Sequence, residues 1–221
     1  MKLLVLRPEP GASATVARAH ALGMAAEAHP LFAVRALDWS LPDESFDALL
    51  VTSANAMRHG GPLLRRLHAL PLYAVGEATA RAAREAGFGT IVAGEGDAAA
   101  ILARAVADGQ TKLLHLVGRE HKAVEQAGVR IVRLPVYAAE ETGTKVPEGE
   151  AIALVHSPRA ARLLAARVTD PARLRLAAIS PAAAAAAGPG WAASRIAAAP
   201  NDDALLAAAA SLCEEERGER A

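Results

Sequence analysis

Two serines occupy the same chemical setting at a fixed distance. Ser53 follows the apolar run Ala48–Val51, Ser157 follows Ala151–Val155, each opens an alanine-rich segment, and the two lie 104 positions apart. A serine at a strand-to-helix turn can accept from the unpaired N–H groups of a first helical turn, and those same donors, with the helix dipole, favour an anion. Asn55 beside Ser53, Arg159 beside Ser157, and the later turns at Gly76, Thr79 and Ser180 extend that chemistry. The alternative for Ser53 and Ser157 is simple capping, and one hydroxyl can do both; for Arg159 it is a solvated charge at a helix start. Arg7-Pro8 closes the first apolar run, where a parallel sheet places its ligands, beyond the carboxyl ends of the strands. An ion pair with Glu9 is the alternative there.

Other chemistries fit poorly. The seven histidines are scattered, with none at ligand spacing, and His115 and His156 sit within strand-like runs as core or edge residues, so no metal site is expected. Gly87-Phe88-Gly89 lacks a third glycine and follows a helical segment. Gly94-Glu95-Gly96-Asp97 would put carboxylates where a nucleotide needs to place phosphate, and the Gly-Lys-Ser/Thr of a phosphate loop is missing, so no cofactor is expected. Basic and acidic residues balance at 24 each and aromatics are 3% of the chain, which argues against nucleic acid and an anionic membrane surface as partners. Arginine outnumbers lysine twenty to four, the side chain that forks onto carboxylates, although compositional bias gives the same excess. The single cysteine, Cys213, fits a reducing compartment, and Met1-Lys2 leads straight into an apolar run, so a cytoplasmic, unexported protein is expected.

These residues need a frame, and short apolar runs alternating with segments of helical period predict an α/β fold with parallel sheets covered on both faces. The strands expected are Lys2-Leu6, Ala48-Val51, Leu72-Val75, Thr90-Val92, Lys112-Val117, Val129-Arg133, Ala151-Val155, Leu176-Ile179 and Arg195-Ala198. Ser13, Ser53, Asp97, Ser157 and Asp202 are the candidate helix caps, and a shortened helix is expected between Gly118-Arg119-Glu120-His121-Lys122 and Val129.

An internal repeat organises the whole. Gly76 and Ser180 keep the 104-residue offset of the two serines, whereas Gly96-Asp97-Ala98 against Asn201-Asp202-Asp203 slips by one or two positions. Lys2–Leu6 also pairs with Lys112–Leu116, and Pro30–Ala33 with Pro135–Ala138. The register predicts two similar three-layer α/β/α, flavodoxin-like halves threaded one inside the other. Residues 1–34 with 142–221 form a discontinuous first domain and 38–133 an inserted second. Extended crossing segments at about 30–37 and 134–141 join them across a hinged cleft, and 214–221 is a frayed tail.

In this order and spacing the motifs resemble the uroporphyrinogen-III synthase family. They are Arg7-Pro8, Thr52-Ser53-Ala54-Asn55-Ala56, Val75-Gly76-Glu77-Ala78-Thr79-Ala80, Pro135-Val136-Tyr137, Ser157-Pro158-Arg159-Ala160 and Ile179-Ser180-Pro181. Each is weak alone, and together they span nearly the whole chain. The resemblance implies a lyase that cyclises hydroxymethylbilane, a linear tetrapyrrole with eight carboxylates, losing water and inverting the last ring through a spiro intermediate. It implies Tyr137 as the acid for the departing hydroxide, against the alternative of a buried structural tyrosine. It also implies that Arg7, Pro8, Ser53, Asn55, Gly76, Thr79, Ser157, Arg159 and Ser180 hold the substrate. The chain departs from the family's Gly-x-Thr-Thr at Ser180-Pro181-Ala182-Ala183, which removes two hydroxyls. The expected state is a monomer without cofactor, with room for a transient contact with the preceding pathway enzyme. A hinged, non-catalytic binding module of the same fold is the rival reading.

Overall fold

The apolar runs become strands wherever helices can cover both of their faces. The computed structural model describes residues 1–95, 97–147 and 149–219. In chain order its elements begin with β1 (Lys2–Val5), α1 (Gly11–Ala21), β2 (Ala26–Ala28), β3 (Phe32–Ala36), β4 (Ala48–Val51) and α2 (Ala54–His59). A 3₁₀ turn at Pro62–Leu67 leads to β5 (Leu72–Ala74), α3 (Glu77–Glu85), β6 (Ile91–Ala93), α4 (Ala98–Ala107), β7 (Lys112–Gly118) and β8 (Arg130–Glu141). The chain continues through β9 (Ala151–Val155), α5 (Pro158–Arg167), β10 (Leu174–Ala178), α6 (Pro181–Ala187), β11 (Ala193–Ile196) and α7 (Asp202–Glu219). Two compact units result, one of Met1–Ala33 with Glu141–Ala221 and one of Val34–Glu140.

The first unit holds a sheet of order β11-β10-β9-β1-β2, parallel throughout. Its central strands are sealed from water, with Leu3 to Leu6 and Ile152 to Val155 at 0–1% exposure, which explains why they read as unbroken apolar runs. One face packs on α5 and α6 through Ala160, Ala161, Leu164, Ala183 and Ala187. The other packs on α1 and α7 through Ala12, Ala19, Leu205, Leu206, Ala209 and Leu212. Alanine lets these helices approach the sheet closely, so the small side chains in the helices complement the leucines of the strands.

The second unit repeats the plan. Its sheet has the order β3-β8-β7-β4-β5-β6, and from β8 to β6 the pairing is parallel. Setting β3 aside, β6-β5-β4-β7-β8 and β11-β10-β9-β1-β2 are the same arrangement. The α2 and α3 helices cover one face through Ala56, Met57, Ala80 and Ala83, and α4 covers the other through Ile101, Leu102 and Ala105. The caps sharpen the repeat. Asp97 accepts from Ala99 and Ala100 N–H at 3.0 and 2.9 Å, and its counterpart is Asn201, whose side-chain oxygen accepts from Ala204 N–H at 2.9 Å. Asn201 lies 104 positions after Asp97, so the slip in the third match disappears once the capping residues are paired.

Several expectations need correction. Asp202 is not a cap, because Asn201 fills that place and the Asp202 carboxylate is taken up by other side chains. Ser13 is not a cap either. Pro10 stands at the N-terminus of α1, and Ser13, one turn inside, donates its N–H and hydroxyl to Glu9 at 3.1 and 2.8 Å. The shortened helix expected after Gly118 is absent: residues 119–129 are irregular, pinned where Arg133 Nη2 donates to the Val124 carbonyl at 2.6 Å and where His121 Nδ1 meets the Gly118 carbonyl at 2.9 Å. Residues 214–219, expected as part of a frayed tail, continue α7, while 220 and 221, like Gly96 of the third repeat match, lie outside the described residues. The short strand β2, Ala-Glu-Ala, gave no apolar signal and forms through its pairing with β1.

The exposed cap of α4 offers a clean check on this account. Asp97→Ala should lower stability by about 1 kcal/mol, read from the urea midpoint, since two N–H groups of the first turn lose their acceptor. An unchanged midpoint would show that water replaces the carboxylate without loss.

Candidate functional site

In each unit the chain order along the sheet reverses at one point, between β9 and β1 in the first and between β4 and β7 in the second. In the first unit α1 follows β1 and α5 follows β9 onto opposite faces. In the second α2 follows β4, whereas β7 runs into the irregular segment 119–129. Parallel sheets bind their ligands beyond the carboxyl ends of the strands at such points. The sequence candidates lie on or just past the strands at these points or the strands beside them, five in each unit. Arg7, Pro8, Ser157, Arg159 and Ser180 belong to the first, and Ser53, Asn55, Gly76, Thr79 and Tyr137 to the second.

In the first unit Ser157 and Ser180 stand at adjacent strand ends, after β9 and β10, and each caps the following helix, accepting from Ala160 N–H at 3.2 Å and Ala183 N–H at 3.3 Å. Arg7 leaves the end of β1 and donates from Nη1 to Asp202 Oδ1 at 2.9 Å, whereas Glu9, its expected alternative, is engaged with Ser13. The Pro8 carbonyl accepts from Ala12 N–H at 3.1 Å and so fixes the exit of β1 onto α1. Arg159 carries its guanidinium 4.4 Å above the ring of Phe32, a cation–π contact that holds the cation by the ring face.

Asp202, expected as a cap, instead stands at the centre of a polar cluster. Its carboxylate also accepts the Thr15 hydroxyl at 2.7 Å, and Arg18 Nη1 lies 3.8 Å away. His156 Nε2 is 3.2 Å from Oδ1 but without hydrogen-bond alignment, so both ring nitrogens of this nearly enclosed imidazole are unpaired. Burial, reinforced by the Arg7 cation, overcomes the pull of Asp202 and drives His156 down to about 4, leaving it neutral. The only trace of this cluster in the sequence is the run Asn201-Asp202-Asp203, which holds more capping groups than one helix can use.

In the second unit Ser53 caps α2, accepting from Asn55 N–H at 3.3 Å, and the Gly76 carbonyl takes the N–H groups of Thr79 and Ala80, both at 3.0 Å. Gly76 is extended, and a β-carbon there would meet only the Gly94 carbonyl oxygen at 3.9 Å. Thr79 is 5% exposed and its repeat counterpart, 104 positions on, is Ala183 at 0%. That position points inward in both halves, so alanine at 183 removes a hydroxyl from a packed place; Ala182, the other substituted position, is exposed.

Tyr137 sits on β8 opposite Gly118, the last residue of β7, just past an irregularity in the register at Val117. Its ring lies so close that a β-carbon on Gly118 would come within 2.8 Å of Cε2 and Cζ and 3.0 Å of the hydroxyl oxygen. The Tyr137 carbonyl accepts from Arg119 N–H at 2.8 Å, and the His59 ring centre is 6.5 Å from the tyrosine ring. Burial and then the Arg58 charge hold the His59 imidazole below its ordinary range. Beneath this edge His115 is fully enclosed, sharing a 3.1 Å hydrogen bond with Thr52 Oγ1 while its Nδ1 has no partner, and burial lowers it to about 4. Sequence reasoning gave no functional place to Gly118, Thr52, His115 or His59; the Thr52–His115 contact joins residues far apart in the chain.

Among the described residues no group of three or more His, Cys, Asp and Glu side chains is placed to hold a metal ion, and no helix is long and apolar enough to cross a membrane. A cavity of about 620 Å³ lies elsewhere in the first unit, lined by Lys145, Arg167 and Arg173 beside the amino-terminal end of β10, away from the strand ends that carry the candidates.

Among known proteins, the profile of the family described as uroporphyrinogen-III synthase HemD matches residues 13–207. No curated protein sequence matches the chain. Of the solved structures, the uroporphyrinogen-III synthetase of Helicobacter pylori 26695 is similar at 20% identity, covering 96% of this chain and 100% of that one with a TM-score of 0.68, which establishes the shared fold. The uroporphyrinogen III synthase of the extremely thermophilic bacterium Thermus thermophilus is similar at 17% identity, covering 100% of both chains with a TM-score of 0.40.

The two enclosed histidines make a prediction about pH. The unfolded chain protonates them near 6.5 and the folded chain only near 4, so stability is full above the upper value and falls as the pH drops between the two. Each should contribute on the order of 1–3 kcal/mol across that window, read from urea midpoints at pH 7 and pH 5, and His115→Gln should remove its share. A pH-independent midpoint would contradict the assignment.

Proposed function

Because the chain belongs to the uroporphyrinogen-III synthase family, we propose that its candidate residues bind hydroxymethylbilane and act on it. The chain is a lyase of tetrapyrrole biosynthesis. The observation that carries the reading of its residues is that nine of the ten candidates stand just past strand ends or in the first helical turns after them, with Tyr137 inside β8 opposite the last residue of β7, and that the ten are split evenly between two units of the same topology.

The substrate is a flexible chain of pyrroles bearing eight carboxylates, and left in water it cyclises without inverting its last ring. The protein's main task is therefore to fix a conformation, and that calls for many anion contacts spread along the molecule. Arg7, Arg159 and the capped turns at Ser157, Ser180, Ser53-Ala54-Asn55 and Gly76 are the contacts this reading assigns. The bare Gly76 turn suits a group that approaches the backbone closely, since little stands over its α-carbon. The nearly buried Thr79 stands in the first turn after it, and this reading keeps it among the substrate-binding residues.

Tyr137 supplies the proton. Its hydroxyl protonates the departing hydroxyl of the bilane, which leaves as water and creates an electrophilic azafulvene. The far ring attacks through an already substituted carbon, giving a spiro intermediate that fragments and recloses with that ring inverted. The proton lost as the closing pyrrole regains aromaticity returns to the phenolate, so the balance is one water released. Gly118 gives the phenol ring its place, because any side chain there would push it aside. The same reading has the chain working as a cytoplasmic monomer on this small molecule, with no cofactor, nucleic acid or membrane, and with a transient contact with the preceding pathway enzyme allowed.

The test is the product. Bilane generated fresh from porphobilinogen should yield isomer III in the presence of the protein, and isomer I alone would overturn the assignment. Tyr137→Phe should slow turnover by roughly tenfold to a hundredfold with an unchanged melting temperature, as expected for loss of a positioned acid. Wild-type turnover in that variant would remove Tyr137 from the role.

A further inference from the structure

Arg7 is held more firmly than a half-exposed arginine at a strand end requires. Its Nη1 is committed to Asp202 Oδ1 at 2.9 Å, and that carboxylate is itself anchored by the Thr15 hydroxyl at 2.7 Å. Asp202 is 11% exposed at its side chain, against 35% for Arg7, so the anchor is mostly shielded while the guanidinium still meets solvent. On its other side the guanidinium presses on Gly11, the first residue of α1. A β-carbon at Gly11 would fall 2.5 Å from Nε, 2.8 Å from Cζ and 3.0 Å from Nη2, closer than side chains tolerate. A β-carbon there would therefore displace the guanidinium from its present place, while the φ of Gly11 is not one that excludes other residues.

The chemistry of the two contacts is complementary. With Nη1 occupied, Nε and Nη2 remain, and that edge of a guanidinium forks onto a carboxylate with two parallel hydrogen bonds. Asp202 is free for this task because Asn201 caps α7 in its place. Neutral His156 beside Asp202 adds no competing cation.

We propose that Asp202 and Gly11 are positioning residues that hold the Arg7 guanidinium in one orientation, with its Nε–Nη2 edge ready for a carboxylate of the bilane. The proposal rests on the reading above that Arg7 binds the substrate, and it adds the two residues that make that binding preorganised. A mobile arginine would have to be ordered by the substrate at each encounter, whereas this one is ordered beforehand.

Arg7→Ala, Asp202→Asn, Gly11→Ala and the double variant Arg7→Ala/Asp202→Asn should be compared for KM and kcat with fresh hydroxymethylbilane, with melting temperature as the control for folding. Each single change should raise KM about tenfold with kcat within about twofold, and the double variant should be no worse than Arg7→Ala, since Asp202 acts through Arg7. Asp202→Glu, which keeps the charge, should recover part of the loss. If Arg7→Ala raises KM but neither Asp202→Asn nor Gly11→Ala does, the positioning roles are wrong while Arg7 keeps its place. If the Asp202→Asn effect adds in full to that of Arg7→Ala, Asp202 acts elsewhere and the proposal falls. If Arg7→Ala leaves KM unchanged, the proposal and the reading of Arg7 fall together.

Discussion

A parallel sheet buried on both faces confines polar chemistry to its ends. In both units the central strands exclude water completely, so the only places where backbone donors, capping hydroxyls and charged side chains can gather in the open are the turns beyond the strands. Every feature of the candidate site follows from that confinement. Ser53 and Ser157 satisfy helix N-termini, Tyr137 lies on β8 against Gly118 at the end of β7, and Arg7 is stationed by a carboxylate from a helix that starts nearby.

The fold was legible because burial on two faces writes itself plainly into the sequence. Ala48–Val51 and Ala151–Val155 are strands in the structure with the bounds the apolar runs give, and the serine caps follow at once. Weak or local signals failed where pairing or space decides. Ala26–Ala28 carries no apolar run and becomes a strand only because β1 is beside it. The segment 119–129 has a helical counterpart in α1, yet it is tied down by Arg133 and His121 in an irregular path that no propensity foretells.

The site was legible in outline and opaque in its supports. In parallel sheets ligand contacts stand at the turns beyond the strands, and turns carry serine, glycine and arginine, so Arg7 and Ser157 could be named as candidates. Asp202 could not be told from a cap, because an aspartate at a helix start looks the same whether it accepts from its own backbone or from Thr15 and Arg7 across the unit. Gly11 and Gly118 have the same difficulty. Each matters for what lies against it, Arg7 in one case and Tyr137 in the other, and contact across strands leaves no mark on neighbouring residues in sequence.

The paired caps carry one more implication. Ser53 to Asp97 and Ser157 to Asn201 cover equal lengths of chain, although one arc contains a six-residue helix with a 3₁₀ turn and the other a ten-residue helix with a shorter 3₁₀ turn. The path length has outlasted the secondary structure that fills it. The equal arcs thus span the same three neighbouring strands in each half, while the helices that fill them differ in length and type.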